Sequence, residues 1–294
     1  MPTAVSSDIP VPAALEEARN EALKEDVPPD LDEILAGLYA EYLEFLSQTG
    51  GDTVQGSIIA GSGSNVRTGT EGDDTLTGTA GNDSIEGLAG DDSIVGNAGQ
   101  DTLAGSEGND TITGDDGNDL IFGNQDIDSL LGGLGNDCLL GGQDGDSLLG
   151  NEGADYLNGN RGSDTLLGGA GNDTLQGGRD DDSLIGDAGD DTLSGDRGAD
   201  TLTGGNGDDV FAIGDSLTGG DLLTDFDQGQ DVIALTGNLT FQDLNIVRGT
   251  GDRAGDLIIQ LPGTGNTTQI LAILQGGANL TLAAGDFITL AAQA

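Results

Sequence analysis

The stretch that decides the fold is Gly168-Gly169-Ala170-Gly171-Asn172-Asp173-Thr174-Leu175-Gln176, one of sixteen nine-residue units that follow one another without insertion over residues 69–212. Every unit has an Asp, a Gly five residues before it, and Leu, Ile or Phe two residues after it. A second Gly stands two residues before the Asp in thirteen units, and Asp126, Asp144 and Asp180 replace it in the other three. An unbroken period of this kind is typical of solenoid proteins.

The period predicts one short strand and one Gly-rich turn in each unit. In Thr174-Leu175-Gln176 the two polar residues share a face of the strand and Leu175 takes the other face. Two units, or 18 residues, would form one turn with two strands facing each other, and the column of Leu and Ile would form the core. Eight such turns would stack to a length of about 38 Å at ~4.8 Å per strand. The glycines would permit turns with positive φ.

Composition divides the chain into four predicted parts. They are a helical segment at 1–50, a linker with a degenerate first repeat at 51–68, the repeats at 69–212, and a β-rich region at 213–294. We therefore expect an all-β protein, a parallel β-roll (β-solenoid) of about eight 18-residue turns, with an N-terminal helix and a β-rich C-terminal cap. Arrays of repeats need atypical ends because the last repeat would otherwise expose its core.

The helix prediction rests on a capping signal followed by helical periodicity. Asp30 is the N-cap candidate and Glu33 completes the capping-box spacing. Apolar residues then recur on one face of the helix, at Leu31, Ile34, Leu35, Leu38, Tyr39, Tyr42, Leu43 and Leu46. We expect this helix to cover the N-terminal end of the roll, with a position along a sheet face as the alternative.

The C-terminal region alternates apolar stretches with Gly-rich turns, which predicts strands. The stretches are Leu222–Phe226, Asp231–Leu235, Asp256–Leu261, Thr268–Leu274 and Leu280–Leu282. The chain finishes with Asp286-Phe287-Ile288-Thr289-Leu290. An acidic residue followed by apolar ones is similar to the uncleaved export signals of type I secretion.

Charge and composition exclude several classes of function. Fifty-three acidic residues face eight basic ones, which gives a formal net charge of −45. Nucleic acids and anionic membranes are poor partners for such a chain, and divalent cations are good ones. The chain has no His, so His-based triads and HExxH zinc sites are excluded, and one Cys, Cys138, so an internal disulfide is excluded too. No apolar stretch is long enough to span a bilayer, and we expect no cleaved signal peptide.

The regular Asp of each unit is the candidate metal ligand. Stacking would place Asp74 near Asp92 and Asp83 near Asp101, where unneutralised carboxylates about 5 Å apart would repel one another. A hard cation held by these carboxylates and by backbone carbonyls removes the conflict, and flexible oxygen-only coordination favours Ca²⁺ over Mg²⁺. The sixteen candidates are Asp74, Asp83, Asp92, Asp101, Asp110, Asp119, Asp128, Asp137, Asp146, Asp155, Asp164, Asp173, Asp182, Asp191, Asp200 and Asp209.

These units resemble the G-G-x-G-x-D-x-U-x nonapeptide of the RTX, or haemolysin-type calcium-binding, family. The resemblance covers about half of the chain, residues 69–212. It implies calcium ions between successive loops. Two rows of eight loops have seven gaps each, hence about 14 interior sites, and fourteen Ca²⁺ ions would bring the formal charge from −45 to −17. One row carries Asp126, Asp144 and Asp180, and we expect it to bind calcium less uniformly.

The sequence therefore predicts a secreted calcium-binding RTX repeat protein, extracellular or at the cell surface, with a structural or matrix-associated role and no enzymatic activity. Self-repulsion would keep the array unfolded until calcium binds the folded state outside the cell. The type I ABC exporter is a further expected partner. The alternatives are a carboxylate-based RTX enzyme acting on polysaccharide, and then an ice-binding or adhesin repeat. An outward column of Leu131, Leu149, Leu167 and Ile185 also predicts lateral self-association or a cell-surface partner.

Overall fold

Two β-sheets face each other along the part of the chain that the structure describes. The structure is a computed structural model, and it describes residues 66–214, 219–237, 239–262 and 268–289. The predicted N-terminal helix lies outside the described residues. Among the residues described, no helix is long and apolar enough to cross a membrane.

Strands β2 to β17 belong to the sixteen repeats, and β1 lies just before them. They are β1 Val66–Thr68, β2 Thr75–Thr77, β3 Ser84–Ala89, β4 Ser93–Ala98, β5 Thr102–Glu107, β6 Thr111–Asp116, β7 Leu120–Gln125, β8 Ser129–Leu134, β9 Cys138–Gly142, β10 Ser147–Glu152, β11 Tyr156–Arg161, β12 Thr165–Ala170, β13 Thr174–Arg179, β14 Ser183–Ala188, β15 Thr192–Arg197, β16 Thr201–Asn206 and β17 Val210–Ile213.

The remaining elements lie after the repeats. The strands are β18 Asp221–Leu223, β19 Val232–Leu235, β20 Asn245–Arg248, β21 Leu257–Leu261, β22 Gln269–Leu274 and β23 Phe287–Thr289. Four short 3-10 helices accompany them, at Phe241–Asp243, Gly251–Arg253, Gly277–Asn279 and Ala284–Asp286.

The order of the strands confirms the predicted β-roll. The first sheet runs β1-β3-β5-β7-β9-β11-β13-β15-β17-β19-β23, and the second runs β2-β4-β6-β8-β10-β12-β14-β16-β18-β22-β21-β20. Neighbouring repeat strands are parallel and offset by 18 residues, as where Leu148 pairs with Leu130 on one side and Leu166 on the other. The repeats form the eight predicted turns, and β18 with β19 adds a ninth.

Most repeat strands have six residues, which is longer than the three-residue strand that the unit predicts. The extra residues come from the Gly-rich part of the next unit. Stacked loops continue the parallel hydrogen bonding there, since the Gly153 amide donates to the Ala170 carbonyl oxygen over 2.9 Å. Loop and strand are therefore one hydrogen-bonded coil.

The core is a single column of inward-facing side chains. The residue two positions after each regular Asp, from Leu76 to Phe211, belongs to one buried cluster that continues to Phe287. Each turn contributes one such residue from each sheet. The predicted core is therefore confirmed: each repeat strand contributes one inward apolar side chain to it.

The C-terminal region continues both sheets before it changes direction. Strand β18 follows β16 in parallel, and β22, β21 and β20 extend the second sheet, the last two pairings being antiparallel. Four of the five predicted stretches contain strands. The prediction at Leu280–Leu282 is wrong, because those residues lie between two 3-10 helices, and the last strand is β23.

Adjacent leucines in β10 allow a matched test of the core. Leu148 faces inward and is 1% exposed, whereas Leu149 faces outward and is half-buried. Leu148→Ala is expected to lower the free energy of unfolding by about 2–5 kcal/mol, since it leaves a cavity in a column one residue wide. Leu149→Ala should lower it by about 1 kcal/mol or less. Urea unfolding in saturating calcium measures both, and equal losses would contradict the single-column core.

Candidate metal centre

The sixteen regular aspartates lie at the two edges where the loops enter the strands. Each directly precedes a strand, so those before even-numbered strands form one row and those before odd-numbered strands form the other. Fifteen of the sixteen are buried, and Asp74 in the first turn is partly exposed. The structure therefore brings together in two rows all the residues that the sequence predicts as metal ligands.

One carboxylate oxygen of each aspartate is used within the row. The Asp146 amide donates to Oδ1 of Asp164 over 2.7 Å, and the Asp155 amide donates to Oδ1 of Asp173 over 2.8 Å. The same bond recurs in all fourteen gaps, from Asp74 with Asp92 to Asp191 with Asp209, at 2.7–3.0 Å. It fixes the spacing of 18 residues at every step.

The other oxygen, Oδ2, is buried without a hydrogen-bond donor in thirteen of the sixteen aspartates. Leaving a buried polar atom unsatisfied is costly, and more so for an ionised group. The thirteen are Asp92, Asp101, Asp110, Asp119, Asp128, Asp137, Asp146, Asp155, Asp164, Asp173, Asp182, Asp191 and Asp200. In the first turn, by contrast, Oδ2 of Asp74 accepts from the Thr70 amide at 2.6 Å.

The glycine five residues before each aspartate stands where these oxygens converge. A side-chain Cβ at Gly150 would meet Oδ2 of Asp155 and lie 2.7 Å from the carbonyl oxygen of Gly168, one turn further on. This glycine is needed for space, since its φ is not in the left-handed region. Carboxylate and carbonyl oxygens from successive turns thus point into the space that a side chain would fill.

Two other loop positions adopt left-handed backbone, as the turn prediction requires. In the loop before Asp155 they are Asn151 with φ 79° and Gly153 with φ 143°. Asp126, Asp144 and Asp180 take the same conformation, with φ values of 68°, 68° and 76°. Asp is one of the few residues other than Gly that adopts this region.

Burial raises the pKa of fourteen of the sixteen regular aspartates, Asp92 to Asp209, and for most of them the charge of a neighbouring carboxylate raises it further. The pKa of Asp146 is raised to about 9, mainly by desolvation and further by the charge of Asp128, although the backbone hydrogen bond opposes the shift. The pKa of Asp182 is likewise raised to about 9, and that of Asp155 to about 6. The charge of Asp144 contributes to the pKa shift of Asp146, and the charge of Asp180 contributes to that of Asp182. The row before the even-numbered strands therefore contains the two largest of these pKa shifts.

The donor set fits a hard cation. It consists of oxygen atoms alone, from carboxylates that repel one another and from backbone carbonyls, and Ca²⁺ takes six to eight such ligands in flexible geometry. Within the described ranges, no three His, Cys, Asp or Glu side chains are grouped closely enough to hold a metal by themselves. Backbone oxygens must therefore supply much of any coordination shell here.

Two aspartates that the sequence prediction did not include continue the rows. Oδ1 of Asp231 accepts from the Asp209 amide at 3.1 Å, and Oδ1 of Asp221 accepts from the Asp200 amide at 3.4 Å. Both are buried. The spacings are 22 and 21 residues, so a search at a fixed period misses them. The signal that identifies them is an apolar residue two positions later, Ile233 and Leu223.

Two other groups of side chains have defined places in the structure. Arg161, Arg179 and Arg197 pair in register at the ends of β11, β13 and β15. Cys138 is buried in β9, and burial raises its thiol pKa to about 12, so the thiol is not activated. We find no chemistry in either group that competes with the aspartate rows.

Comparison with known proteins is consistent with this geometry. The family of the RTX calcium-binding nonapeptide repeat (4 copies) matches residues 68–103, 95–130, 114–148, 140–175, 149–184 and 176–211. Among the curated proteins, none matches the chain.

Two solved structures are similar over parts of the chain. A subunit of the mannuronan C5-epimerase of Azotobacter vinelandii is 25% identical with a TM-score of 0.23, over 53% of this chain and 80% of that one. An extracellular lipase of Serratia marcescens is 18% identical with a TM-score of 0.25, over 83% of this chain and 43% of that one.

The raised pKa values predict how pH affects the calcium-free roll. Each raised carboxyl stabilises the fold fully below its ordinary pKa near 3.8, and that stability is lost as pH rises through the folded values of about 6 to about 9. The free energy of unfolding in chelator should therefore fall between pH 4 and about 9. Far-UV circular dichroism in chelator measures the folded fraction at each pH, which should fall as pH rises.

A matched pair of variants provides the control for this pH dependence. Asp146→Asn removes one strongly shifted carboxyl and should flatten the decline, whereas Asp252→Asn removes an exposed one and should leave it unchanged. A calcium-free roll that becomes more stable as pH rises would contradict the prediction.

Proposed function

Because residues 68–211 are RTX calcium-binding nonapeptide repeats, we propose that this protein is a secreted, non-enzymatic calcium-binding protein whose β-roll folds on meeting calcium outside the cell. The observation that carries the proposal is the set of thirteen buried Oδ2 atoms without a donor. A divalent cation is the partner that satisfies a buried carboxylate oxygen and neutralises its charge at once.

The residues that would hold calcium are the sixteen regular aspartates together with loop carbonyls such as that of Gly168. About 14 ions would then lie in the gaps of the two rows, one for each amide-to-Oδ1 bond between successive turns. Calcium supplies positive charge where the fold concentrates negative charge. The chain supplies fixed oxygens, because the Oδ1 bonds already hold each carboxylate in place.

Folding would be coupled to calcium by mass action. At neutral pH the ionised carboxylates, part of a formal net charge of −45, oppose the stacking of the turns. Binding to the folded state alone would shift the equilibrium towards it. A chain of this kind would be unfolded where free calcium is low and folded outside the cell, which suits export through a type I ABC system and an extracellular or cell-surface location.

The suggested export signal supports the same order of events. Phe287 is buried in the core cluster, and its strand β23 pairs with β19. Within a signal at Asp286-Phe287-Ile288-Thr289-Leu290, Phe287 would therefore be accessible to an exporter only before this strand joins the first sheet. We propose that recognition by the exporter precedes folding.

Calcium titration of the full chain tests the central proposal. Circular dichroism and calorimetry are expected to show a cooperative gain of β-structure with calcium at neutral pH and no comparable gain with magnesium. Identical far-UV spectra and compactness in chelator and in calcium would contradict coupled folding.

Asp146 and Asp144 provide a matched pair for that titration. Asp146 borders two gaps, through its bonds to Asp128 and Asp164, so Asp146→Asn should lose binding at those gaps and require more calcium to fold. Asp144 is exposed and Asn tolerates its backbone conformation, so Asp144→Asn should bind like the wild type. If both variants folded at the same calcium concentration, the buried row would not be the calcium site.

We also propose that the outer face of the second sheet mediates lateral association. Leu131, Leu149, Leu167 and Ile185 pair in register there and are only half-buried, which confirms the predicted column. Contiguous apolar residues on so acidic a chain are typical of a contact surface.

Sedimentation in calcium tests the association. The wild type should show concentration-dependent mass, and Leu149→Asp with Leu167→Asp should abolish it. Thr111→Asp, at an exposed position of β6 outside the column, is the control. A wild type that stays monomeric at high concentration would end this proposal.

A further inference from the structure

The outer face of the first sheet carries buried side chains, although it lies on the opposite side of the strands from the core. Phe122 is 3% exposed, Leu140 5% and Cys138 8%. Their chain neighbours Ile121 and Leu139 face inward and belong to the core cluster. We call this set of outward-facing buried residues the covered patch; it consists of Ala104, Leu120, Phe122, Cys138, Leu140 and Asn158.

The second sheet shows what an open face of the same roll looks like. Leu131 and Leu149 occupy the positions in β8 and β10 that Phe122 and Leu140 occupy in β7 and β9, yet they are only half-buried. The serines at the starts of β8 and β10 are exposed, whereas Leu120 and Cys138 at the equivalent positions are buried. Neighbours within a sheet therefore do not account for the burial of the patch.

The described elements that pack with β7, β9 and β11 are their neighbours in the first sheet and the strands facing them across the core. The patch side chains also lie outside the core cluster. The described elements therefore do not account for the burial of these side chains. The gaps after residue 214 are five residues long at most and adjoin strands from β17 onwards, about 24 Å from β7 along the sheet. The long segment is residues 1–65.

We propose that the amphipathic helix predicted at Leu31–Leu46 lies across the covered patch of its own chain. Sixteen helical residues extend about 24 Å. The patch reaches from β5 to β11, three strand spacings or about 14 Å, so the helix is long enough to cross it. Residues 47–65 connect the helix to β1, and 19 residues span at most about 65 Å. Because β1 is in the same sheet, three strands from β7, the connection is easily made.

The chemistry of the two surfaces is complementary. The apolar face of the helix, with Leu35, Leu38 and Tyr42, would meet Phe122 and Leu140 of the patch. Burying such side chains against each other contributes roughly 25 cal/mol per Å² of apolar area. This position is the alternative to covering the N-terminal end of the roll, and the burial of the patch favours it.

Cys138 provides the experiment, because it is the only cysteine in the chain and lies inside the patch. Labelling of the calcium-loaded full chain with a thiol reagent should be slow, and Leu35→Asp with Leu38→Asp should accelerate it about tenfold or more. Ala40→Asp adds a negative charge on the opposite face of the helix and should leave the rate unchanged. Circular dichroism in calcium checks that each variant keeps its β-structure.

Several outcomes would overturn the proposal. They are wild-type labelling as fast as in chelator, equal rates in both helix variants, and protection that disappears on dilution, which would identify a second copy as the cover.

A cross-linking measurement gives an independent answer. Leu35→Cys, Leu38→Cys and Tyr42→Cys are oxidised separately, and at least one should form an intramolecular disulfide with Cys138, since a disulfide needs Cα atoms within about 7 Å. Ala40→Cys should form none. Absence of an intramolecular product from all three variants would contradict the docking, whatever the labelling rates.

Discussion

The roll depends on one repeated bond, from the backbone amide of an aspartate to Oδ1 of the aspartate one turn further on. In the repeats it spans 18 residues in every gap, and it joins Asp209 to Asp231 over 22 residues where the repeats end. The bond fixes the register between turns and buries the carboxylate. It also leaves Oδ2 without a donor in thirteen of the sixteen aspartates, so the contact that stacks the turns buries a negative charge that a proton or a bound cation would neutralise.

The apolar core alone contributes little stability to offset the cost of these buried carboxylates. Each strand contributes one inward side chain, such as Leu148 or Leu157, and both sheets share a single column. Proteins with small cores rely on additional constraints such as disulfides or metals. A chain with one cysteine cannot use the first, and its aspartate rows offer oxygen ligands for the second. Burial raises the pKa of carboxyl groups such as that of Asp146, so protons would compete with a cation for the same oxygens.

The period of nine residues predicted the two sheets, the core column and both rows of aspartates, because each depends on a residue type that recurs without interruption. The length of the strands was not predictable in the same way, since it depends on hydrogen bonds between stacked loops such as Gly153 to Ala170. Asp221 and Asp231 escaped a fixed period because insertions lengthen their turns. The stretch at Leu280–Leu282 has the composition of a strand, but its partners in space are not encoded in its own sequence.

The repeat constrains only some of its nine positions, and the free ones distinguish this protein from a generic roll. The aspartate is fixed by its amide-to-Oδ1 bond, and the inward apolar residue is fixed by the core. The glycine five residues before the aspartate is fixed by the space in which the oxygens converge. The two outward strand positions touch none of these. They carry Ser, Thr and a Leu column on the second sheet, and Leu120, Phe122, Cys138 and Leu140 on the first. Calcium binding therefore depends on the positions that the repeat fixes. The partners of the two outer faces depend on the outward strand positions, which the repeat leaves free to vary.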